Sequence, residues 1–351
     1  MKKALSAILL AVLPGLAQAQ SSVTLFGTLG GGIRWVNGVK GGGQAGFDDN
    51  SVAGNLYGLK GREDLGGGIK AIFALAGQFS IGTGTLQPAA ALFGQTAYVG
   101  VSGPFGRVTL GRQFNASGDL GVLLDPAGGL GPFATEPGVL FLGNYFTVDP
   151  RFNNTIKYLG EAGGLRFSAS YSPGGVAGNQ RAGTNFSAAG LYQYQGATVG
   201  VSYGKTYSPD GTQAAQTIMA GGMLQLGPVR VQVANASFDV TAKHAGGATR
   251  RDNLSLVGLI WQMTPSLQLT GALYDDIGRN LGNVPGANGH KITSYLIAEY
   301  FLSKRTEIYA EVDRNGFTGA YKRDPVNLAG LNLRPGASAT TGVSVGLMTR
   351  F

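Results

Sequence analysis

Apolar residues recur at every second position in segment after segment of this chain. No run is apolar for long enough to cross a bilayer as a helix, which takes roughly 20 such residues. From Val23 to Val36, Val23, Leu25, Gly27, Leu29, Ile33 and Trp35 share one face. Thr24, Thr28, Gly30, Gly32 and Arg34 share the other, together with Phe26. A two-residue period is that of a β-strand. One greasy face and one small or polar face is the pattern of a strand in a membrane barrel.

The first residues form a secretory leader: Lys2 and Lys3, an apolar run from Ala4 to Leu13, and Ala17-Gln18-Ala19 as the cleavage site. Residues 20–351 then form one exported unit. That unit has no cysteine, so disulfides cannot hold it. Its 60 glycines follow no G-X-Y period, which removes collagen. The segments between them are apolar and aromatic, which argues against disorder. A hydrophobic fraction of 43% is too ordinary for a bundle of membrane helices, whereas the alternating faces of a barrel average out. The net charge of +8 comes without a basic run interleaved with aromatics, so no nucleic-acid partner is expected.

The alternation continues through Ser51 to Arg62, Gly68 to Phe79, Leu92 to Ser102, Gly106 to Gln113, Phe152 to Gly160, Leu165 to Ser172, Thr184 to Gln195 and Ala197 to Thr206. It resumes in Ala215 to Leu226, Val229 to Val240, Asp252 to Met263, Leu267 to Asp276, Lys291 to Leu302, Arg305 to Arg314 and Ala339 to Phe351. It is least regular in Asp252 to Met263. Short turns alternate with long loops at 37–50, 80–91, 114–150, 173–183, 207–214, 241–251, 277–290 and 315–338, as in outer-membrane barrels. With both ends on the short-turn side, the prediction is an all-β fold, a 16-stranded antiparallel transmembrane β-barrel. An even count closes the sheet and removes its edges, and about this many strands enclose an aqueous channel.

One loop is exceptional. Phe114 to Pro150 keeps neither a strand nor a helix period, and loops of this length are usually functional. It is too apolar for open water, with Leu120, Val122, Leu123, Leu124, Val139, Leu140, Phe141 and Leu142, yet it carries Asp119, Asp125, Glu136 and Asp149. Both demands are met if it folds into the lumen and narrows it. Cations on the wall facing carboxylates on this loop would set a transverse field that orients polar solutes. The candidate wall cations are Arg112, Arg34, Lys60, Arg62, Lys70, Lys157 and Arg166. Arg112 is foremost because it stands where the loop departs, although plain alternation places it with Val108 and Leu110; turning inward requires a bulge at Gly111. The candidate constriction acids are Asp119, Asp125 and Glu136, with turn chemistry as the other reading of Asp125 before Pro126.

Catalysis is not expected. The two histidines, His244 and His290, fall in outer loops and make no local triad. Without cysteine, tetrahedral zinc sites lack their usual ligands. Gly82-Thr83-Gly84 opens no helix and is no dinucleotide fingerprint. Glu63-Asp64 reads as a solvated turn. No cofactor or metal is called for.

Six stretches, in order, resemble the general porins of Gram-negative bacteria, of the trimeric β-proteobacterial type: VTLFGTLGGGIRWV, YGLKGREDLGGGIKAIFAL, AYVGVSGPFGRVTLGRQF, RFNNTIKYLG, YFLSKRTEIYAEV and the ending VGLMTRF. The resemblance implies a homotrimer with the third loop as the eyelet, and a terminal Phe351 read by the outer-membrane assembly machinery. Outer-membrane lipid and lipopolysaccharide would be its surroundings. Gly30, Leu56, Ala74, Ala76 and Gln95 replace residues that are usually charged or polar in that family, which implies a less charged eyelet.

The function expected is passive diffusion of ions and small hydrophilic solutes across the outer membrane, with a mild anion preference from the excess of wall cations. A channel selective for organic carboxylates and a structural or adhesive barrel are the alternatives.

Overall fold

The computed structural model describes residues 21–50, 52–127, 145–147, 149 and 151–351; the expected leader, residues 1–19, lies outside them. Sixteen strands form the wall: β1 Ser22–Val39, β2 Leu56–Gly66, β3 Ile69–Phe79, β4 Thr96–Gly103, β5 Gly106–Phe114, β6 Arg151–Ala162, β7 Leu165–Ser172 and β8 Asn185–Tyr194, then β9 Ala197–Tyr207, β10 Ala214–Leu226, β11 Val229–Val240, β12 Arg250–Thr264, β13 Leu267–Arg279, β14 Gly289–Phe301, β15 Thr306–Gly319 and β16 Ala339–Arg350. Each pairs antiparallel with its sequence neighbours, and β1 pairs with β16 from Thr28↔Arg350 to Val36↔Gly342. The sheet is therefore a closed barrel with no free edge, so every wall strand finds its backbone partners without water.

The faces separate as the period of two requires. On β9, Val199 and Val201 are both 59% exposed, whereas Thr198 and Ser202 are both 5% exposed. Val23, Leu25, Ile33, Leu59, Val99, Ile156, Phe167, Ile218, Val257, Ile308 and Val345 continue the outer apolar belt. Ser168, Ser170, Ser187, Thr217 and Ser344 lie on the buried inner face.

Two departures from the expected pattern have physical causes. The loop at 37–50 is largely a strand: Gly42–Asp48 folds back on β1, pairing Phe47 with Ile33 and Ala45 with Trp35, and continues the wall where β2 leaves it. Second, part of the inner face of β10 to β14 is an apolar patch rather than hydrophilic. Met219, Ala236, Phe238, Val240, Leu254, Leu256, Tyr274 and Ile297 form one buried cluster with Leu120 and Leu124 of the third loop. This explains the irregular alternation of β12, where Leu254 and Leu256 face inward while Val257, Leu259 and Trp261 face lipid.

Candidate functional site

The described part of the third loop begins as a helix, α1 (Ala116–Leu124), rather than as irregular chain. Asn115 is its N-cap, its side chain accepting a 2.7 Å bond from the Gly118 N–H. Helix termini leave N–H groups without intrahelical partners, and here the wall supplies them. Ala116 N donates to Ser170 Oγ at 3.1 Å, and Ser117 N donates to Ser187 Oγ at 3.3 Å. The Ser117 and Ser202 hydroxyls bond each other at 2.9 Å. The inner-face serines of β7, β8 and β9 thus fix where the helix starts.

Small wall residues then let it lie close. A methyl group added at Gly200 would come within 2.7 Å of Leu120, and one at Gly221 within 2.8 Å of Leu124; one at Gly258 would overlap the Pro126 ring. Glycines on β9, β10 and β12 leave a furrow across the wall, and α1 with the turn after it fills that furrow. Gln232 on β11 donates to Leu123 O at 3.2 Å.

The expected acids divide. Asp119 accepts from Lys157 Nζ of β6 at 2.7 Å, and the same ammonium donates to Phe114 O at 2.9 Å. Burial raises the Asp119 carboxyl above its ordinary value, against the pull of Lys157 and then of Arg107 and Arg166. Asp125 caps the end of α1 and accepts from Ala127 N, Tyr274 Oη and Tyr295 Oη. Its turn role and its wall contact are both real. Glu136 lies outside the described residues.

The expected cations divide further. Arg34 reaches along the inner face to Glu311 at 2.9 Å, to Ser344 at 2.8 Å and to Asp313. Lys60 stands over the Phe26 ring, 5.4 Å from its centre. Arg62 and Lys70 lie on the same inner face towards the short-turn rim, and Lys70 sits opposite Asp64 in the register without closing an ion pair. Arg166 is tied to Glu161 at 2.7 Å.

Arg112 is not turned inward. Its register with β4 is unbroken, Arg112↔Ala97 following Leu110↔Val99, and Leu110 and Val99 are exposed outer-face residues. The irregularity near Gly111 falls on the side of β6 instead. Arg112 bonds Gly94 O, Asn153 Oδ1 and Asp149. It clamps the departing and returning ends of the third loop.

Several inner charges were not among the expected residues. Glu307, Glu311 and Asp313 of β15 are buried on its inner face, and Glu299 of β14 joins them. Arg350 pairs with Glu307 at 2.8 Å, and Gln268 donates to Glu299 at 2.7 Å. Alternate acids in TEIYAEVD were the available signal. Arg107 of β5 faces α1 across a cavity that Asp119 and Arg166 also line. In the ring of sixteen, the Arg107, Lys157 and Arg166 strands stand about opposite the strands of Glu299, Glu307, Glu311 and Asp313. A further network joins the eighth loop to the wall: Arg250 binds Asp252 at 2.7 Å and reaches Asp324, and Tyr321 donates to Asp252 and Asp276.

The sequence model of the Gram-negative porin family matches residues 4–320. The chain belongs to that family. An outer membrane porin protein of Bordetella pertussis is 34% identical over 191 residues, which is 49% of this porin and 48% of that protein. Outer membrane porin protein 32 of Delftia acidovorans is 38% identical over 38% of each chain. The matched part thus spans less than half of these two relatives. Major outer membrane protein P.IB of Neisseria meningitidis serogroup B is 26% identical over 87% of this porin and 91% of that protein. Among solved structures, the anion-selective porin from Comamonas acidovorans shares the fold at a TM-score of 0.75 and 21% identity, over 95% of this chain and all of the other. In-vitro folded OmpT of Vibrio cholerae, in its trimer form, aligns at 0.69 and 12% identity, over 94% of this chain and 99% of the other. The porin is an outer-membrane protein.

Proposed function

We propose that this porin is a passive channel for ions and small hydrophilic solutes, with a mild preference for anions. One observation carries the sign. Of the inner-face carboxylates of the described wall, Glu311 and Asp313 are bound by Arg34, Glu307 by Arg350, Glu299 by Gln268, Asp48 by Tyr309 and Asp276 by Tyr321, while Asp64 at the short-turn rim closes no ion pair. Lys60, Arg62, Lys70 and Arg107 have no carboxylate within ion-pair distance among the described residues. These four wall cations are not compensated by a neighbouring acid, and they support the anion preference. Arg34 faces two carboxylates, and Glu299 and Asp276 are held by uncharged side chains, so the negative charge that remains keeps the preference mild. The Comamonas acidovorans porin that shares this fold is anion-selective, which supports the same sign.

The trimer form of OmpT and the family support a homotrimer. Lipopolysaccharide is the neighbour that fits the long-loop rim of β11 to β13. There Arg251 and Arg279 stand directly opposite each other on the outer face, with Asp239 beside Arg251. Like charges placed so are destabilising unless an anion lies between them, and a lipid phosphate supplies one. The C-terminal strand and Phe351 would be presented to the assembly machinery before closure.

Planar-bilayer recording tests the proposal. Conductance steps in groups of three, and a zero-current potential whose sign marks chloride as the more permeant ion, are the expected result. A barrel that inserts and conducts nothing would return the structural or adhesive alternative.

A further inference from the structure

Between α1 and the inner wall of β5 to β8 lies a cavity of about 280 Å³. It is lined by Asp119, Val122 and Leu123 of α1, by Leu159 and Leu191 of the wall, and by Arg107 and Arg166. We infer that this cavity is a binding site for a small monocarboxylate with a short apolar tail, a resting place for organic anions on their way through the lumen. The inference rests on the channel reading and adds a ligand class to it.

The two arginines are not equivalent. Arg166 already holds Glu161. Arg107 has no ion-pair partner within reach among the described residues, and the neighbouring Asp119 is committed to Lys157. An arginine with its fork free binds a carboxylate through two parallel bonds. One free guanidinium beside neutralised pairs suits a single negative charge rather than a dianion. Apart from Asp119, Arg166 and Ser168, the rest of the lining is apolar, with Val122, Leu123, Leu159, Ala189 and Leu191, which suits a hydrocarbon tail and not a polyol. The volume lies just below the usual range for ligand pockets, which limits the tail to a few carbons. A cationic solute of the same shape would meet Arg107 and be rejected.

The test uses the refolded full-length porin in detergent micelles, where binding can be read without conduction. Isothermal titration with pentanoate should show a saturable component, with acetate at least about fivefold weaker and pentylammonium silent. Arg107→Gln should weaken pentanoate by about tenfold, roughly 1.4 kcal/mol. Leu123→Asn should weaken pentanoate while leaving acetate unchanged, and it covers the case in which the arginine variant does not fold. Equal binding of pentanoate by wild type and either variant, or acetate binding as tightly as pentanoate, overturns the inference. A wild-type channel that conducts potassium chloride yet binds no pentanoate overturns it alone; a protein that binds pentanoate but never conducts overturns the channel reading instead.

Discussion

Lys157 of β6 and Asp119 of α1 are joined by a 2.7 Å ion pair, so the wall and the loop meet by contact rather than facing each other across open water. The ammonium also holds Phe114 O, at the point where the loop leaves the wall. Lys157→Met removes both bonds and leaves a half-buried carboxylate without its cation. A loss of about 1–3 kcal/mol is expected, read as a lower unfolding temperature of the refolded barrel. Asp119→Asn keeps a hydrogen-bond acceptor and should cost less. If the two changes are additive in a double-mutant cycle, the pair does not couple loop to wall.

Arg112 gives the opposite kind of prediction. Its bonds to Gly94 O, Asn153 and Asp149 lie at the foot of the loop, on the outer-face register. Arg112→Ala should make the loop more susceptible to protease and leave the zero-current potential in a salt gradient unchanged. A marked shift of that potential towards cations would mean that the guanidinium acts in the lumen after all.

Where the chain faces lipid, its strands were legible, because solvent and lipid sort Val199 from Ser202 at single-residue resolution. What escaped was the inner apolar patch. Leu254 and Leu256 carry the same side chains as lipid-facing residues, and only α1 lying over them explains their inward aim. Alternation alone cannot distinguish bilayer from buried loop as the apolar neighbour. The helix was masked in a similar way: Asn115 and Asp119 make a start signal, but Gly118 and Gly121 read as breakers. The wall carboxylates of β15 were legible as Glu307, Glu311 and Asp313 on one face. The family eyelet draws attention to loop acids, and the structure places an acidic wall where only cations were expected.

The glycine furrow makes the loop's position a matter of a few atoms. Gly258→Val keeps a residue well suited to a strand but occupies the space of the Pro126 ring. The barrel should still refold and resist heat, while α1 is pushed off the wall and single-channel conductance changes by a factor of about two or more. Gly190→Val, whose added methyl meets no neighbour within 4 Å, is the control and should conduct like wild type. Identical conductance in both variants would mean that the furrow does not set the loop's place.

Closure of the barrel depends on the last residue. Gly27 and Phe351 exchange two backbone hydrogen bonds at 3.1 Å, and the Phe351 ring occupies the space a Cβ at Gly27 would need. Gly27→Val should displace the ring and press on the Leu56 carbonyl of β2, without touching the rest of the terminal strand. Slower appearance of the heat-resistant folded band on unheated gels is expected, with deletion of Phe351 slower still. Refolding of Gly27→Val at the wild-type rate would show that the ring's seat is not part of closure.

Arg34 offers the sharpest test of how selectivity is set. It alone bridges Glu311 and Asp313, at 2.9 Å to the first. Removing it subtracts one positive charge and also releases two carboxylates into a lumen whose low-dielectric walls focus their field. Removing Lys60, which has an aromatic ring and no acid beside it, subtracts one positive charge and releases nothing. Arg34→Gln should therefore move the zero-current potential further towards cation preference than Lys60→Gln, and far enough to reverse a mild anion preference. Equal shifts would mean that net charge alone sets selectivity. The larger shift from Arg34 would mean that the porin's sign rests on which of its acids are kept occupied.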